Sequence, residues 1–399
     1  MSRDYYCNFK FKFLKIDFTQ NKTYNCHAAK PHPVDFQWLE IGNDLFNTET
    51  SMKEREMMLV NERNDSCEQN CWHIEDKGGI SPRIWQGGPE KTHTEVITKP
   101  EIIDLTISTD CNLTCSYCCK EYSKSWLRDI INNGEYQYTN PDEDLTNRNN
   151  VILRDRISLK IKQNKFKDLP NYQELLNQVI TYSSDLKELI ITGGDPFVDN
   201  DLFTLLENLN MKDDSVIVVY TGLGYSLSRF KRYIEKLKSL NNKIELRISG
   251  EGIGEHIEFN RYGVKWNEFK EKTDWLSTQI NDNLSVQFQC TLTNLSIFGF
   301  VDFYNMYHDY SNGIRLTFAY TPRNMPVYVL DTQSKVEIEN QIQHIDEDFK
   351  DKILKSMESN PSENQRIQIG EFIKQFVERR EDLSTYIFPK SFLKWAEVI

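Results

Sequence analysis

Ile102-Ile103-Asp104-Leu105-Thr106-Ile107-Ser108-Thr109-Asp110-Cys111-Asn112-Leu113-Thr114-Cys115-Ser116-Tyr117-Cys118 is the stretch from which the rest of the chain can be read. Its first half is a strand-like apolar run with Asp104, Thr106 and Ser108 on the alternate face. Its second half carries three cysteines, and a helical pattern over 115–131 begins within it. Strand, loop and helix in that order make one βα unit.

The pattern repeats downstream. Strand signals lie near 102–108, 187–192, 215–221, 243–249, 284–292 and 314–320. Helical signals lie at 115–131, 171–184, 200–209, 226–239, 265–280 and 297–309. Repeated βα units imply a parallel sheet with right-handed crossovers. Six units fall short of the eight of a closed barrel. The expected fold is therefore α/β, a partial (β/α)6 TIM barrel over 98–330. It is flanked by a small cysteine-carrying domain over 1–97 and a helical extension over 331–399. In the extension, Ile338, Ile342, Ile345, Phe349 and Ile353 recur at helical spacing, as do Ile369, Phe372, Ile373, Phe376 and Val377. Ser359-Asn360-Pro361-Ser362 separates the two helices. The polar segment 132–150 reads as an insertion or a lid over the site.

Several barrel strands are polar on one face. Ile244, Leu246 and Ile248 alternate with Glu245, Arg247 and Ser249, and Val286 and Phe288 with Gln287 and Gln289. Helices cover an apolar face, so the polar one is expected to point inward and line a cavity for a polar substrate. The alternative is two-sided, partly solvated strands. The residues placed against a substrate are Arg247, Gln287, Gln289 and Arg315.

The chain has 399 residues and a net charge of −12, which argues against a nucleic-acid polymer as partner. It has no apolar run of the length a membrane span needs and no apolar signal segment at its start, so a cytoplasmic location is expected. Reduced surroundings make clustered cysteines metal ligands before disulfides. There are nine: Cys7, Cys26, Cys67, Cys71, Cys111, Cys115, Cys118, Cys119 and Cys290.

Cys111, Cys115 and Cys118 are three ligands, not the four of a closed zinc site. Three thiolates suit a four-iron cube with one iron left open. Cys7, Cys26, Cys67 and Cys71 are four, enough to ligate a second cube fully, or a structural zinc. Cys290 lies on the apolar face of its strand and reads as a core thiol, and Cys119 as a spare one.

The Cys-x3-Cys-x2-Cys spacing, with Gly193-Gly194-Asp195-Pro196 one strand later, resembles the radical S-adenosylmethionine (radical SAM) enzymes. That resemblance implies a [4Fe-4S] cluster on Cys111, Cys115 and Cys118 that binds S-adenosylmethionine. It places Tyr117 near the adenine, Gly193, Gly194, Asp195 and Pro196 at the methionyl amino group, and Arg261 at the methionyl carboxylate. Ser249, Thr221 and Asn294 fall where relatives line the cofactor. Residues 1–97 resemble the auxiliary-cluster modules called twitch or SPASM domains, with Cys7, Cys26, Cys67 and Cys71 on an auxiliary [4Fe-4S] cluster. Leu39-Glu40-Ile41-Gly42-Asn43 and Phe46-Asn47-Thr48 resemble the module's Gly-Asn and Asn-Ser/Thr stretches. The module here precedes the barrel instead of following it, and Asn21 stands where its hairpin glycine is usual.

The resemblance implies reductive cleavage of S-adenosylmethionine and hydrogen abstraction by the 5′-deoxyadenosyl radical. The expected substrate is a peptide or small polar metabolite, with electrons from an external donor such as flavodoxin or ferredoxin. Alternatives are radical modification of a nucleotide or nucleic acid, and a non-catalytic iron–sulfur or zinc protein. The last has no use for Gly193, Gly194 and Arg261.

Overall fold

In a computed structural model, residues 4–20, 22–28, 32–33, 44–141, 145, 172–199 and 201–399 are described. Asn21, the stretch 39–43 and much of the 132–150 insertion lie outside them. The chain is α/β with a mostly parallel sheet. Its strands are β1 (Phe13–Asp17), β2 (Lys22–Tyr24), β3 (His32–Pro33), β4 (Ile102–Thr106), β5 (Thr114–Cys115), β6 (Glu188–Thr192), β7 (Val216–Thr221), β8 (Lys243–Ser249), β9 (Arg261–Tyr262), β10 (Leu284–Leu292) and β11 (Ile314–Phe318). The six strands read from 98–330 are all among them, as β4, β6, β7, β8, β10 and β11.

The chain forms two compact units. The first comprises the described residues of Met1–Ser108, Leu159–Val219 and Asn241–Ile244. The second comprises those of Thr109–Ser158, Tyr220–Leu240 and Glu245–Ile399. These divisions do not fall at the expected boundaries of 97 and 330. One reason is β1, which runs parallel to β4 with Leu14 opposite Ile103 and Ile16 opposite Leu105. The N-terminal segment thus shares a sheet with the strand that leads to the cysteine loop.

In the first unit the strand order is β7-β6-β4-β1-β2-β3. β1, β4, β6 and β7 are parallel neighbours, and β2 turns back antiparallel on β1. Ile103, Leu105, Leu189 and Ile191 are fully buried, as parallel strands covered on both faces require. Thr48 caps the helix Glu49–Leu59 by accepting from Ser51 N–H. From that helix the buried Arg55 donates to the carbonyls of Lys10, Phe46 and Val96 and to Asn47 Oδ1. One side chain thereby joins three stretches of irregular backbone. Burial pulls the Arg55 pKa down to about 10, against the upward pull of Asp44 and Glu54.

In the second unit the order is β8-β10-β11, with β10 and β11 parallel and Gln289 opposite Arg315. Leu246 and Ile248 are fully buried while Glu245, Arg247 and Ser249 are half-buried, so the alternation read from the sequence is real. The C-terminal part folds as helices Thr332–Gln341, Glu347–Met357, Glu363–Glu378 and Lys390–Trp395. Ser362 opens the third with a capping box: its hydroxyl accepts from Gln365 N–H, and the Gln365 side chain accepts from Ser362 N–H. Just past that helix, the buried Arg380 donates to Thr114 Oγ1 at 3.1 Å and to the Tyr136 hydroxyl at 3.1 Å. Among the described residues no helix is long and apolar enough to cross a membrane.

Gly370, inside Glu363–Glu378, lies close against the end of the terminal helix. A Cβ there would lie 1.8 Å from the Ala396 carbonyl oxygen. Gly370→Ala must push the terminal helix away, an overpacking cost of about 1–3 kcal/mol. The urea midpoint of the variant is expected to fall, while Gln375→Ala on the same helix should move it less.

Candidate functional site

The three-cysteine loop lies wholly in the second unit. Cys115 is held in β5, which pairs antiparallel with β9 so that Cys115 stands opposite Arg261. The expected helix over 115–131 instead runs Lys124–Asn133. Side chains at its start explain the delay. Ser123 Oγ donates to the Leu113 carbonyl, Ser125 Oγ to that of Cys111, and Trp126 Nε1 to that of Cys115. Loop carbonyls bonded in this way are not available to a helical ladder, and Ser123 caps the first turn by accepting from Trp126 N–H. Cys111 and Cys118 are half-buried and Cys115 is buried. Burial pushes the Cys118 thiol up, and Cys119, Cys115 and Cys111 push it further. Cys119 is therefore buried close beside the three.

Arg261 is the cation of this loop. It donates to Glu251 Oε1 at 3.1 Å, and it bonds the Tyr117 hydroxyl, which itself donates to Glu251 Oε1 at 2.8 Å. Glu251 also accepts from Thr291 N–H at 3.3 Å. Burial alone would lower the Arg261 pKa, but the charges of Cys115, Tyr117, Glu251 and Cys111 hold it well above its usual value. Its Nε is buried with no hydrogen-bond partner among the described residues. That orphaned donor, near Cys111 and Cys115, fits an anionic ligand at the loop.

The other four cysteines converge in the first unit. Cys7, Cys26, Cys67 and Cys71 are each between 4% and 6% exposed. Cys7, Cys67 and Cys71 share an apolar cluster with Tyr6, Phe11, Met58 and Trp72. Burial, then Cys26 and Cys67, push the Cys7 thiol up to about 12. Cys67 is pushed up to about 11 by burial, with Cys26 and Cys71 adding to it and Lys10 opposing. Cys7 and Cys67 thus feel the charge of neighbouring cysteines in the set. Neutral side chains at such a site resist ionisation, and a multivalent cationic core reverses that by coordinating them as thiolates. The donor set fits such a core.

None of the nine cysteines is in a disulfide. Among the described residues no group of three or more His, Cys, Asp or Glu is arranged to hold a metal ion. A cube takes one thiolate per iron at separate corners, a wider spacing than the shell of one zinc ion.

The remaining predicted residues fall as follows. Gly193, Gly194, Asp195 and Pro196 follow β6 in the first unit. Gly193 has φ of 131°, and a Cβ there would lie 2.6 Å from the Ser108 carbonyl oxygen, which accepts from Gly194 N–H. Asp195 is buried and caps Pro196–Val198. In the second unit Thr221 Oγ1 accepts from Leu223 N–H and bonds the Tyr225 hydroxyl. Ser249 is half-buried at the end of β8. Asn294 donates to the carbonyls of Asn324 and Val329, leaving its buried Oδ1 without a partner among the described residues. Arg247 is paired with Glu245 and the Tyr220 hydroxyl, and Gln289 donates to Thr317 Oγ1. Gln287 is half-buried and Arg315 exposed. Cys290 is fully buried, donating to the Gly250 carbonyl, a core thiol as read.

Two site residues were missed. Glu251 continues the alternation of Glu245, Arg247 and Ser249 past the end of β8, so period two alone could have found it. Lys10 is fully buried; its Nζ donates to Glu54 Oε2 at 2.5 Å and to Ser66 Oγ at 2.7 Å. Nothing in its immediate surroundings, Phe9-Lys10-Phe11-Lys12-Phe13, sets it apart from Lys12.

No protein-family model matches the chain, and no curated protein matches it.

Glu251→Ala would leave Arg261 buried without its carboxylate. Losing one partner of a buried pair costs about 3–5 kcal/mol, so urea unfolding of the metal-free chain should show a loss of that order. Glu251→Gln keeps an acceptor for Tyr117 and should cost less.

Proposed function

We propose that the chain is a radical SAM enzyme on a partial (β/α)6 barrel. It abstracts hydrogen from a peptide or small polar metabolite and uses a second, auxiliary [4Fe-4S] cluster for a further electron. The observation that carries this reading is the grouping of the nine thiols. Three lie on one loop beside a buried arginine whose Nε lacks a partner among the described residues, and four more are buried in the first unit, three of them in one apolar cluster.

Cys111, Cys115 and Cys118 would hold three irons, leaving one open to the amino and carboxylate groups of S-adenosylmethionine. With both groups bound, one-electron cleavage of the sulfonium would supply a 5′-deoxyadenosyl radical. The residues act by holding and excluding. Arg261 offers its fork to a carboxylate, and Glu251 keeps that fork charged and aimed. Tyr117 is fixed by its bond to Glu251. Gly193 brings backbone where no side chain fits, and Gly194 N–H is spent on the Ser108 carbonyl. Arg247, Gln289 and Thr317 lie along the half-buried polar faces of β8, β10 and β11 and would present hydrogen-bonding groups to a polar substrate. Cys7, Cys26, Cys67 and Cys71 would fully ligate the auxiliary cluster. Electrons would enter from a flavodoxin- or ferredoxin-like donor.

Anaerobic reconstitution followed by metal analysis and a reductive cleavage assay tests this. About eight irons per chain, four for each cube, and release of 5′-deoxyadenosine are expected. Cys111→Ala should abolish cleavage. Cys67→Ala should retain about four irons and cleavage while losing product formation on substrate. Zinc in place of iron, with no cleavage, would overturn the proposal.

A further inference from the structure

The four-cysteine pocket contains an ammonium group that ligation does not require. Lys10 is 0% exposed. Its Nζ donates to Glu54 Oε2 at 2.5 Å and to Ser66 Oγ at 2.7 Å. Ser66 Oγ in turn lies 3.9 Å from Cys67 Sγ, so a polar chain runs from the ammonium to a ligand sulfur. Asn25, next to Cys26, donates to the same Glu54 oxygen at 2.6 Å. Lys10 follows Cys7 by three residues on the turn Asn8–Phe11, and Glu54 stands on the helix Glu49–Leu59. Every side chain in this network either neighbours a cysteine in sequence or bonds one that does.

A buried lysine is expensive and is kept where opposite charge compensates it. One carboxylate would balance one ammonium at a structural ion pair. Here the ammonium bonds Glu54 on one side and Ser66 Oγ on the other, and Ser66 Oγ lies 3.9 Å from Cys67 Sγ. The ammonium therefore faces the carboxylate and, through Ser66, a cysteine sulfur.

We propose that Lys10 is the internal counter-charge of the four-cysteine site and raises the reduction potential of the iron–sulfur group held there, so that the site takes up an electron more readily than it gives one. The inference rests on the functional reading above. Four thiolates make an iron–sulfur site net negative, and each added electron makes it more so. Net charge, hydrogen bonds to sulfur and burial set such potentials. An ammonium already in place stabilises the more negative state in a medium that screens little. One electron enters, no ligand bond breaks, and no proton need follow. Ser66 extends the effect by directing its hydroxyl between ammonium and sulfur. Glu54 limits it by cancelling part of the charge.

The test uses the full chain carrying Cys111→Ala, Cys115→Ala and Cys118→Ala, so that only the first-unit site is loaded. After anaerobic reconstitution, iron and zinc are counted and the potential is measured by a dithionite titration followed by electron paramagnetic resonance. Adding Lys10→Met should lower the equilibrium constant for one-electron reduction at least tenfold, about 59 mV. Adding Glu54→Gln instead should shift the potential upward, because the ammonium is then less neutralised. Four irons retained with an unmoved potential in Lys10→Met would overturn the inference while leaving the auxiliary cluster intact. If Lys10→Met does not fold, a fall or no change in Glu54→Gln overturns it and a rise supports it. A parent chain that binds zinc and no iron overturns this inference and the auxiliary cluster together.

Discussion

Thiolates buried side by side repel one another, and the first unit is built around that difficulty. Cys7, Cys26, Cys67 and Cys71 come from three separate stretches and are all buried, with Cys7, Cys67 and Cys71 among Tyr6, Phe11, Met58 and Trp72. Such a pocket is stable with its thiols neutral or with a strongly positive core that turns them into ligands. Nearby residues hold the backbone around it. Arg83 donates to the Tyr6 carbonyl, next to Cys7, and is itself held by Glu75. Arg55 gathers the carbonyls of Lys10, Phe46 and Val96. Neither arginine adjoins a cysteine in sequence; both fix the backbone that carries one.

The second unit solves a smaller version of the same problem. Its three thiols are less buried, and their compensating charge is a single guanidinium pinned by Glu251. Cross-strand pairing puts Arg261 opposite Cys115. Glu251 then spans three elements, taking bonds from Arg261 on β9, Tyr117 on the loop and Thr291 on β10.

Much of this architecture could be read in advance because it follows local rules. The six strands of 98–330 come from apolar alternation, and the break at Ser359–Ser362 from its Asn-Pro breaker residues. Cys290 sits in the core because it falls on the apolar face of β10. The helix after the cysteine loop was read nine residues too early, because its apolar spacing starts before its backbone is released from the loop. The union of β1 with β4 was not legible, since Leu14 and Ile103 lie far apart in sequence and either could have paired elsewhere. Lys10 was hidden for the same reason: its burial depends on Glu54, 44 residues away. Compensation of charge over such distances leaves no local trace.

Arg380 sets an order of events for the living cell. Its guanidinium holds Thr114, the neighbour of Cys115, across 266 residues of chain, and also the Tyr136 hydroxyl. While a ribosome is still making the chain, the loop has emerged long before the side chain that braces it. Three exposed thiols therefore wait through most of translation without their final support. The bracing of the loop is thus among the last contacts the growing chain can make.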